Sequence, residues 1–185
     1  NRLDLSGNWK PESSLIAWSS DLTEGQISLE NDWERWEDWL DQWKRQKDHH
    51  QIIPPNFQAR CSIRSFAPIA ALAHLPFSLE KGAQLSASSQ ASGSFIQLDI
   101  PRLQWEDYVA SGMHIDAEDG AKTIFINAQC DSIHQRGKTW IEDAHVDCSG
   151  DSLWWMDTSW NAPDFGRSEM QWSANTSTPN IFDLQ

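Results

Sequence analysis

The feature that most constrains this chain is a period-two alternation of apolar and polar residues, which begins just after Pro55. In the first such run, Phe57, Ala59, Cys61 and Ile63 alternate with polar residues. Similar runs follow at residues 83–88, 94–100, 122–128, 139–148, 153–158 and 168–174. Because successive side chains of a β-strand point to opposite faces, each run predicts a half-buried strand.

Glycines separate these runs, at positions 82, 93, 120, 137 and 150. Short strands with glycine turns between them, and no regular alternation with long helices, predict an all-β fold. We therefore expect an antiparallel sandwich or barrel. Residues 67–73 (APIAALA) suit either a short helical turn or a buried strand.

One amphipathic helix is predicted at about residues 32–47. Asn31 and Glu34 resemble a capping box at its start. Its apolar residues follow a 3-4-3 spacing that places them on one helix face: Trp33, Trp36, Leu40 and Trp43. This stripe is too apolar to remain in water, so we expect the helix to pack against the β-strands.

The length of 185 residues fits a single β domain that spans residues 1–185. Within it, residues 1–55 hold an N-terminal strand and the Trp-rich helix, residues 56–175 form the β body, and residues 176–185 are a tail. The three cysteines allow at most one internal disulfide. A secreted and a cytoplasmic location both stay open, as does the oligomeric state.

The charge of the chain limits the classes of partner that it is expected to bind. Acidic residues outnumber basic ones by 27 to 14, which gives a net charge of −13. Phosphate backbones and anionic membrane surfaces are bound mainly through Lys and Arg, so we expect neither as a partner. No apolar run approaches the roughly 20 residues of a membrane-spanning helix. No nucleotide-binding glycine motif is present, and no cofactor is predicted.

The candidate binding residues are tryptophans beside carboxylate and amide groups. Trp154 and Trp155 are adjacent in a predicted strand, so one ring faces each side. An exposed indole next to Asp or Asn is typical of a sugar site, because the ring stacks on C–H faces while the polar groups bind hydroxyls. The predicted ligand-binding residues are Trp154, Trp155, Asp157, Trp160, Asn161 and, in a second cluster, Trp105.

No catalytic residues are assigned, and no metal site is predicted. Asp143, His145 and Asp147 share one face of a predicted strand, and three such side chains can hold a divalent ion. We interpret them as the solvated face of an amphipathic strand. Glu34 and Asp38, one helical turn apart, are interpreted as a solvated helix face.

Two segments share a pattern: residues 56–63 (NFQARCSI) and residues 125–133 (FINAQCDSI). Farther along the chain, Leu85 and Ala87 follow the first segment, and Cys148 follows the second. Over residues 56–161 this resembles the doubled pattern of cyanovirin-type lectins, although Ser88 stands where the first repeat of that pattern has a second Cys. The resemblance implies a two-repeat β domain that binds oligosaccharides, with Cys130 and Cys148 bridged.

A second resemblance concerns residues 5–10 (LSGNWK). This segment is similar to the Gly-x-Trp opening of the calycin barrels, which include lipocalins and fatty-acid-binding proteins. The resemblance implies a barrel in which Trp9 plugs one end and an apolar ligand is held inside.

Three functions follow from these patterns. The first is a lectin-like, carbohydrate-binding protein that works by Trp stacking and polar contacts, without covalent chemistry. The second is a calycin-like pocket for an apolar small molecule; if it is an enzyme, it is a cofactor-independent isomerase or cyclase that acts by positioning its substrate. The third is an acidic protein-binding module that uses the stripe of the Trp-rich helix.

Overall fold

A computed structural model of the chain describes residues 3–10, 12–30, 33–45, 55–90, 93–120, 123–175 and 182–184. It confirms the all-β class, with 13 strands and two helices in the described residues. The strands are β1 (Leu3–Trp9), β2 (Ser13–Ser20), β3 (Thr23–Glu30), β4 (Phe57–Ile63), β5 (Phe77–Leu79), β6 (Ala83–Gln90), β7 (Gly93–Trp105), β8 (Tyr108–Asp119), β9 (Ile124–Gln135), β10 (Lys138–Gly150), β11 (Leu153–Ala162), β12 (Gly166–Asn175) and β13 (Phe182–Leu184). The helices are α1 (Trp33–Arg45) and α2 (Ala67–Ala73).

The strands form one antiparallel sheet in which neighbours in sequence are neighbours in space. The order runs β1-β2-β3-β4-β6-β7-β8-β9-β10-β11-β12-β13, with the short β5 pairing separately with β7. β1 and β13 stand at the two ends of this order. The sheet is therefore a continuous meander built from hairpins and short connections.

The predicted helix is confirmed as α1, and it is attached to the start of the sheet. The indole nitrogen Nε1 of Trp36 donates to the backbone oxygen of Glu30 at 3.1 Å, and Arg35 pairs with the Glu30 carboxylate at 3.1 Å. The Trp36 ring lies 6.3 Å from that of Phe57 on β4. The predicted cap at Asn31, the helix end at Lys47 and residues 176–181 of the tail lie outside the described residues.

The segment 67–73, for which two structures were open, is the helix α2. It ends at Ala73, and the C-cap residue His74 has a left-handed φ of +52°. The neighbouring Phe66 and Phe77 rings stack at 5.5 Å between centroids. None of the described helices has the length and apolar character that crossing a membrane requires.

Strand register sorts the side chains onto two faces. Residues that lie directly opposite one another on successive strands form transverse rows across the sheet. One such row, from β1 to β12, is almost entirely polar: Ser6, Ala17, Gln26, Arg60, Ser86, Gln97, Asp116, Asn127, Asp147, Asp157 and Gln171. We call the side of the sheet that carries this row the polar face. The residues before and after each member point to the other side.

A line of backbone irregularities crosses the middle strands. The register of β10 shifts between Glu142 and His145, where Asp143 has a φ of +49°. On β8, Gly112 has a φ of +61°, and Asp131 of β9 lies directly beside it. Bulges and left-handed residues bend strands and change where side chains point, so the clean two-face pattern ends at this line.

Candidate functional site

The opposite side of the sheet carries two adjacent apolar rows. The first runs from β1 to β12: Gly7, Ile16, Ile27, Ala59, Ala87, Ile96, Ala117, Ile126, Cys148, Met156 and Trp172. The second runs from β1 to β12: Leu5, Trp18, Gly25, Cys61, Leu85, Leu98, Ile115, Ala128, Val146, Thr158 and Met170. We call the two rows together the apolar strip.

The apolar strip is longer than it is wide. Strands in a sheet are spaced about 4.8 Å apart, so ten spacings span roughly 50 Å, while neighbouring rows are about 7 Å apart. On one side of the strip lies a row of mixed character, in which Trp9, Leu29, Phe57, Ile124 and Trp154 are interspersed with Ser14, Ser89, Ser94 and Asp119. On the other side a further, mainly apolar row that includes Ile63, Ala83, Ile100 and Met113 separates the strip from the line of backbone irregularities.

Most of the apolar strip is only partly covered. Among the described residues, the buried hydrophobic side chains are Ala83 and Ile100, together with Pro55. On the strip itself, Leu5, Leu85, Ile96 and Met170 are exposed, and most other members are half-buried. Apolar patches that extend over a surface in this way mark binding sites in soluble proteins.

The polar face carries a shallow groove that joins exposed aromatic rings to acids and an amide. It has a volume of about 360 Å³. Trp155 is 57% exposed and Phe125 is 52% exposed. These two rings lie in one transverse row, separated by Ser149. The groove is lined by Phe95, Asp116, Glu118, Phe125, Ile126, Asn127, Asp147, Cys148, Ser149, Trp155 and Asp157.

Beside this groove, the polar face holds a network of histidine and aspartate side chains. His114 lies between two carboxylates, with Nδ1 at 2.5 Å from Asp99 and Nε2 at 2.9 Å from Asp116. The hydrogen bond to Asp99, and then that to Asp116, raises the pKa of His114 above its ordinary value. The imidazolium form is favoured there because it donates to both carboxylates.

A second hydrogen-bonded group of side chains lies on β9 and β10. The Asn127 amide donates to Asp147 at 2.7 Å, and His145 Nε2 lies 2.6 Å from the other oxygen of that carboxylate. The side chain of Asp157, directly opposite Asp147, makes no hydrogen bond or ion pair with another described residue. Its carboxylate is therefore available to a ligand.

The structure brings together only part of the predicted binding set. Trp155 and Asp157 share the polar face and the groove. Trp154 comes one residue before Trp155, and Trp160 comes three residues after Asp157. Both therefore point to the opposite face of the sheet. The Asn161 amide donates to Asp143 at 3.2 Å, at the bulge of β10.

Trp105 lies apart from the groove, at the turn between β7 and β8. Its ring is 6.4 Å from that of Tyr108, which in turn lies 5.8 Å from Trp140. These three aromatic residues form a separate surface cluster beyond the line of backbone irregularities.

Of the trio Asp143, His145 and Asp147, the structure brings the last two into contact, while Asp143 lies at the bulge and accepts a hydrogen bond from Asn161. Asp143 has a left-handed φ of +49°, and the pairing of β10 with β11 shifts there by one residue. No group of three or more His, Cys, Asp or Glu side chains in the part of the chain that the structure describes is arranged to hold a metal ion.

The disulfide implied by the lectin resemblance is not formed. Cys61, Cys130 and Cys148 are all free. Cys130 lies opposite Ala144, four residues before Cys148 on β10, which is roughly 13 Å along a strand. Bridged cysteines have Cα atoms within about 7 Å. Burial raises the pKa of each thiol, which keeps it protonated.

The other features behind the two resemblances also have defined positions. The two similar segments are β4 and β9, and the register places Phe57 on the side of the apolar strip but Phe125 on the polar face. Trp9 lies at the end of β1 and is mostly exposed.

Comparison with known proteins does not assign this chain to a family. No family model, no curated protein and no solved structure matches this chain.

Sequence reasoning missed most of the residues that surround Trp155. Phe125 and Asn127 fall within a predicted strand, but which groups lie beside them depends on strand pairing. Asp116 and His114 belong to β8, which was not predicted. The alternation of Met113, Ile115 and Ala117 with polar residues is the signal that indicates this strand.

Proposed function

We propose that this chain is a non-enzymatic binding protein whose apolar strip holds an elongated apolar ligand, such as an acyl chain. The observation that carries the proposal is the strip itself: two apolar rows that run across the whole sheet with their side chains only partly covered. Covering such a surface is favourable by about 25 cal/mol for each Å² of apolar area.

The shape of the strip favours an elongated ligand. The strip runs roughly 50 Å across the strands, and with the apolar residues of the two flanking rows it is about four rows, or roughly 20 Å, wide. A flexible chain can therefore lie along it across the strands. Its members are aliphatic, aromatic or sulfur-containing side chains and glycine, apart from Thr158. The ligand would therefore be held by contact area, with few directional bonds.

The separation of the two faces favours binding without catalysis. The His and Asp network lies on the polar face, one sheet thickness away from the strip. The cysteines on the strip side have a raised pKa and are not activated nucleophiles. The isomerase or cyclase alternative, which needs a substrate enclosed beside reactive groups, has less support.

Binding of the neutral probe N-phenyl-1-naphthylamine tests this proposal. We expect the probe to brighten with the protein, to quench strip tryptophans such as Trp18 and Trp172, and to be displaced by a neutral long-chain alcohol. The substitution Ile96→Gln should weaken binding about five- to tenfold, because it replaces an exposed apolar group on the strip.

The adjacent substitution Phe95→Gln is the matched control. Phe95 is also exposed but points to the polar face, so this variant should bind the probe like the unchanged protein. Equal effects of the two substitutions, or no displaceable probe binding at all, would show that the strip does not take up apolar ligands.

A second function, carbohydrate binding, is supported by the groove on the polar face. Two exposed rings, Trp155 and Phe125, stand in one row beside the unpaired carboxylate of Asp157 and the amide of Asn127. Rings that stack on a sugar and polar groups that bind its hydroxyls are the combination such a site needs. Because the two rings lie two strands apart, the proposed ligand is an oligosaccharide.

Glycan-array binding with and without Trp155 tests the second function. We expect Trp155→Ala to reduce glycan binding about tenfold, through the loss of a stacking platform. Phe165, an exposed aromatic residue in the turn before β12, is the control: Phe165→Ala should have no effect. Glycan binding that survives Trp155→Ala unchanged would place the sugar elsewhere or exclude it.

A further inference from the structure

Among the described residues, the edge of β1 that faces away from β2 lacks several of the features that usually protect a sheet edge. β1 stands at one end of the strand order and, among the described strands, pairs only with β2. All seven of its residues are exposed, Leu5 to 68%. Sheet edges in soluble proteins are usually protected by proline, by charged side chains such as lysine, by a bulge or by a short strand. β1 has no proline, lysine or bulge, it is seven residues long, and Asp4 is its only charged residue.

We propose that β1 is a self-association edge, at which β1 of a second copy of this chain pairs antiparallel about a two-fold axis at Ser6. The sequence of β1 is complementary to itself in this register. With full overlap of the seven residues, Ser6 faces Ser6, Leu5 faces Gly7, Asp4 faces Asn8 and Leu3 faces Trp9. Apolar residues meet apolar residues on one face, and an acid meets an amide on the other.

The pairing also continues both faces of the sheet without interruption. Leu5 and Gly7 belong to the apolar strip, while Ser6 belongs to the polar row. The dimer would therefore have one sheet and one strip of twice the length. A two-fold interface of this kind is closed, since each β1 edge is used once.

Charge sets the conditions under which the dimer forms. Each copy carries a net charge of −13, which opposes association, but Asp4 is the only charged residue of β1 itself. Repulsion between charges farther away is screened over about 8 Å at physiological ionic strength and over about 3 Å at 1 M salt. We therefore expect the dimer to become stronger as salt is added.

Three substitutions of Ser6 test the proposal by sedimentation equilibrium in 0.5 M NaCl. Ser6→Asp places two carboxylates directly opposite each other and should raise the dimer Kd about fivefold, whereas the uncharged Ser6→Asn should leave it unchanged. Ser6→Cys should give a disulfide-linked dimer on mild oxidation. Asn8→Cys should not, because the two introduced thiols would be roughly 13 Å apart.

A protein that stays monomeric at high salt and high concentration would overturn the proposal. The proposal would also be overturned if Ser6→Asp left the dimer Kd unchanged and the Ser6→Cys variant failed to cross-link. A dimer weakened by Ile96→Gln instead would place the contact on the apolar strip. Because Ser6 lies on the polar face, N-phenyl-1-naphthylamine binding is unaffected by its substitution, so this result and the test of the proposed function are independent.

Discussion

Replacing Ile100 with alanine should lower the free energy of unfolding by about 2–4 kcal/mol. Ile100 lies on β7 and is 6% exposed, whereas buried hydrophobic side chains are rare in the described residues. The substitution removes three carbon atoms from a covered site and leaves a cavity. For a domain with a total stability of about 5–15 kcal/mol, this is a large fraction.

Ile96 on the same strand provides the matched control. It is the same residue type and points to the same side of the sheet, but it is 49% exposed. Ile96→Ala should therefore cost less than about 1 kcal/mol. Urea unfolding of both variants gives the comparison. Equal costs would mean that Ile100 is no better packed than the rest of the apolar side.

The second large effect is expected at Gly112. Its φ of +61° is left-handed, where a side chain costs about 1–2 kcal/mol. A Cβ atom at this position would also overlap the carboxylate of Asp131 on the neighbouring strand. We expect Gly112→Ala to lower the free energy of unfolding by about 1–2 kcal/mol through the backbone, plus the smaller cost of moving the exposed Asp131 side chain.

Two further variants separate the backbone cost from the overlap. Gly137 has a φ of +79°, but an added Cβ would meet no atom within 4 Å, so Gly137→Ala should show the backbone cost alone. Asp131→Ala in the Gly112→Ala background should restore the part due to overlap. If Gly112→Ala costs no more than Gly137→Ala, the contact with Asp131 is not a constraint.

The local alternation of side chains was enough to predict the fold class and most strands. The runs that became β4, β6, β7 and β9 to β12 are visible because each strand has one apolar and one polar face. The helix α1 was equally visible, since its stripe repeats with the helical period. These signals belong to a single element and need no knowledge of its neighbours.

The composition of the candidate site depends on strand pairing, which local patterns do not give. Trp155 and Asp157 were predicted, but their neighbours Phe125 and Asn127 lie about 30 residues earlier and come beside them only through the register of β9, β10 and β11. Trp154 and Trp160 were grouped with them because they are close in sequence, although alternation places them on the other face. The bulge at Asp143 is likewise set by pairing, and it places that carboxylate beside Asn161 of the neighbouring strand.

The sequential order of the strands has an evolutionary consequence. Each strand pairs with the ones beside it in sequence, apart from the short β5, so no distant segment must meet another for the sheet to form. A duplicated or deleted hairpin would lengthen or shorten the sheet by about 10 Å and leave the remaining pairs intact. In such an architecture, adding or removing one hairpin at a time changes the length of the binding surface in small steps. Molecules of different length can then be bound without a change of fold.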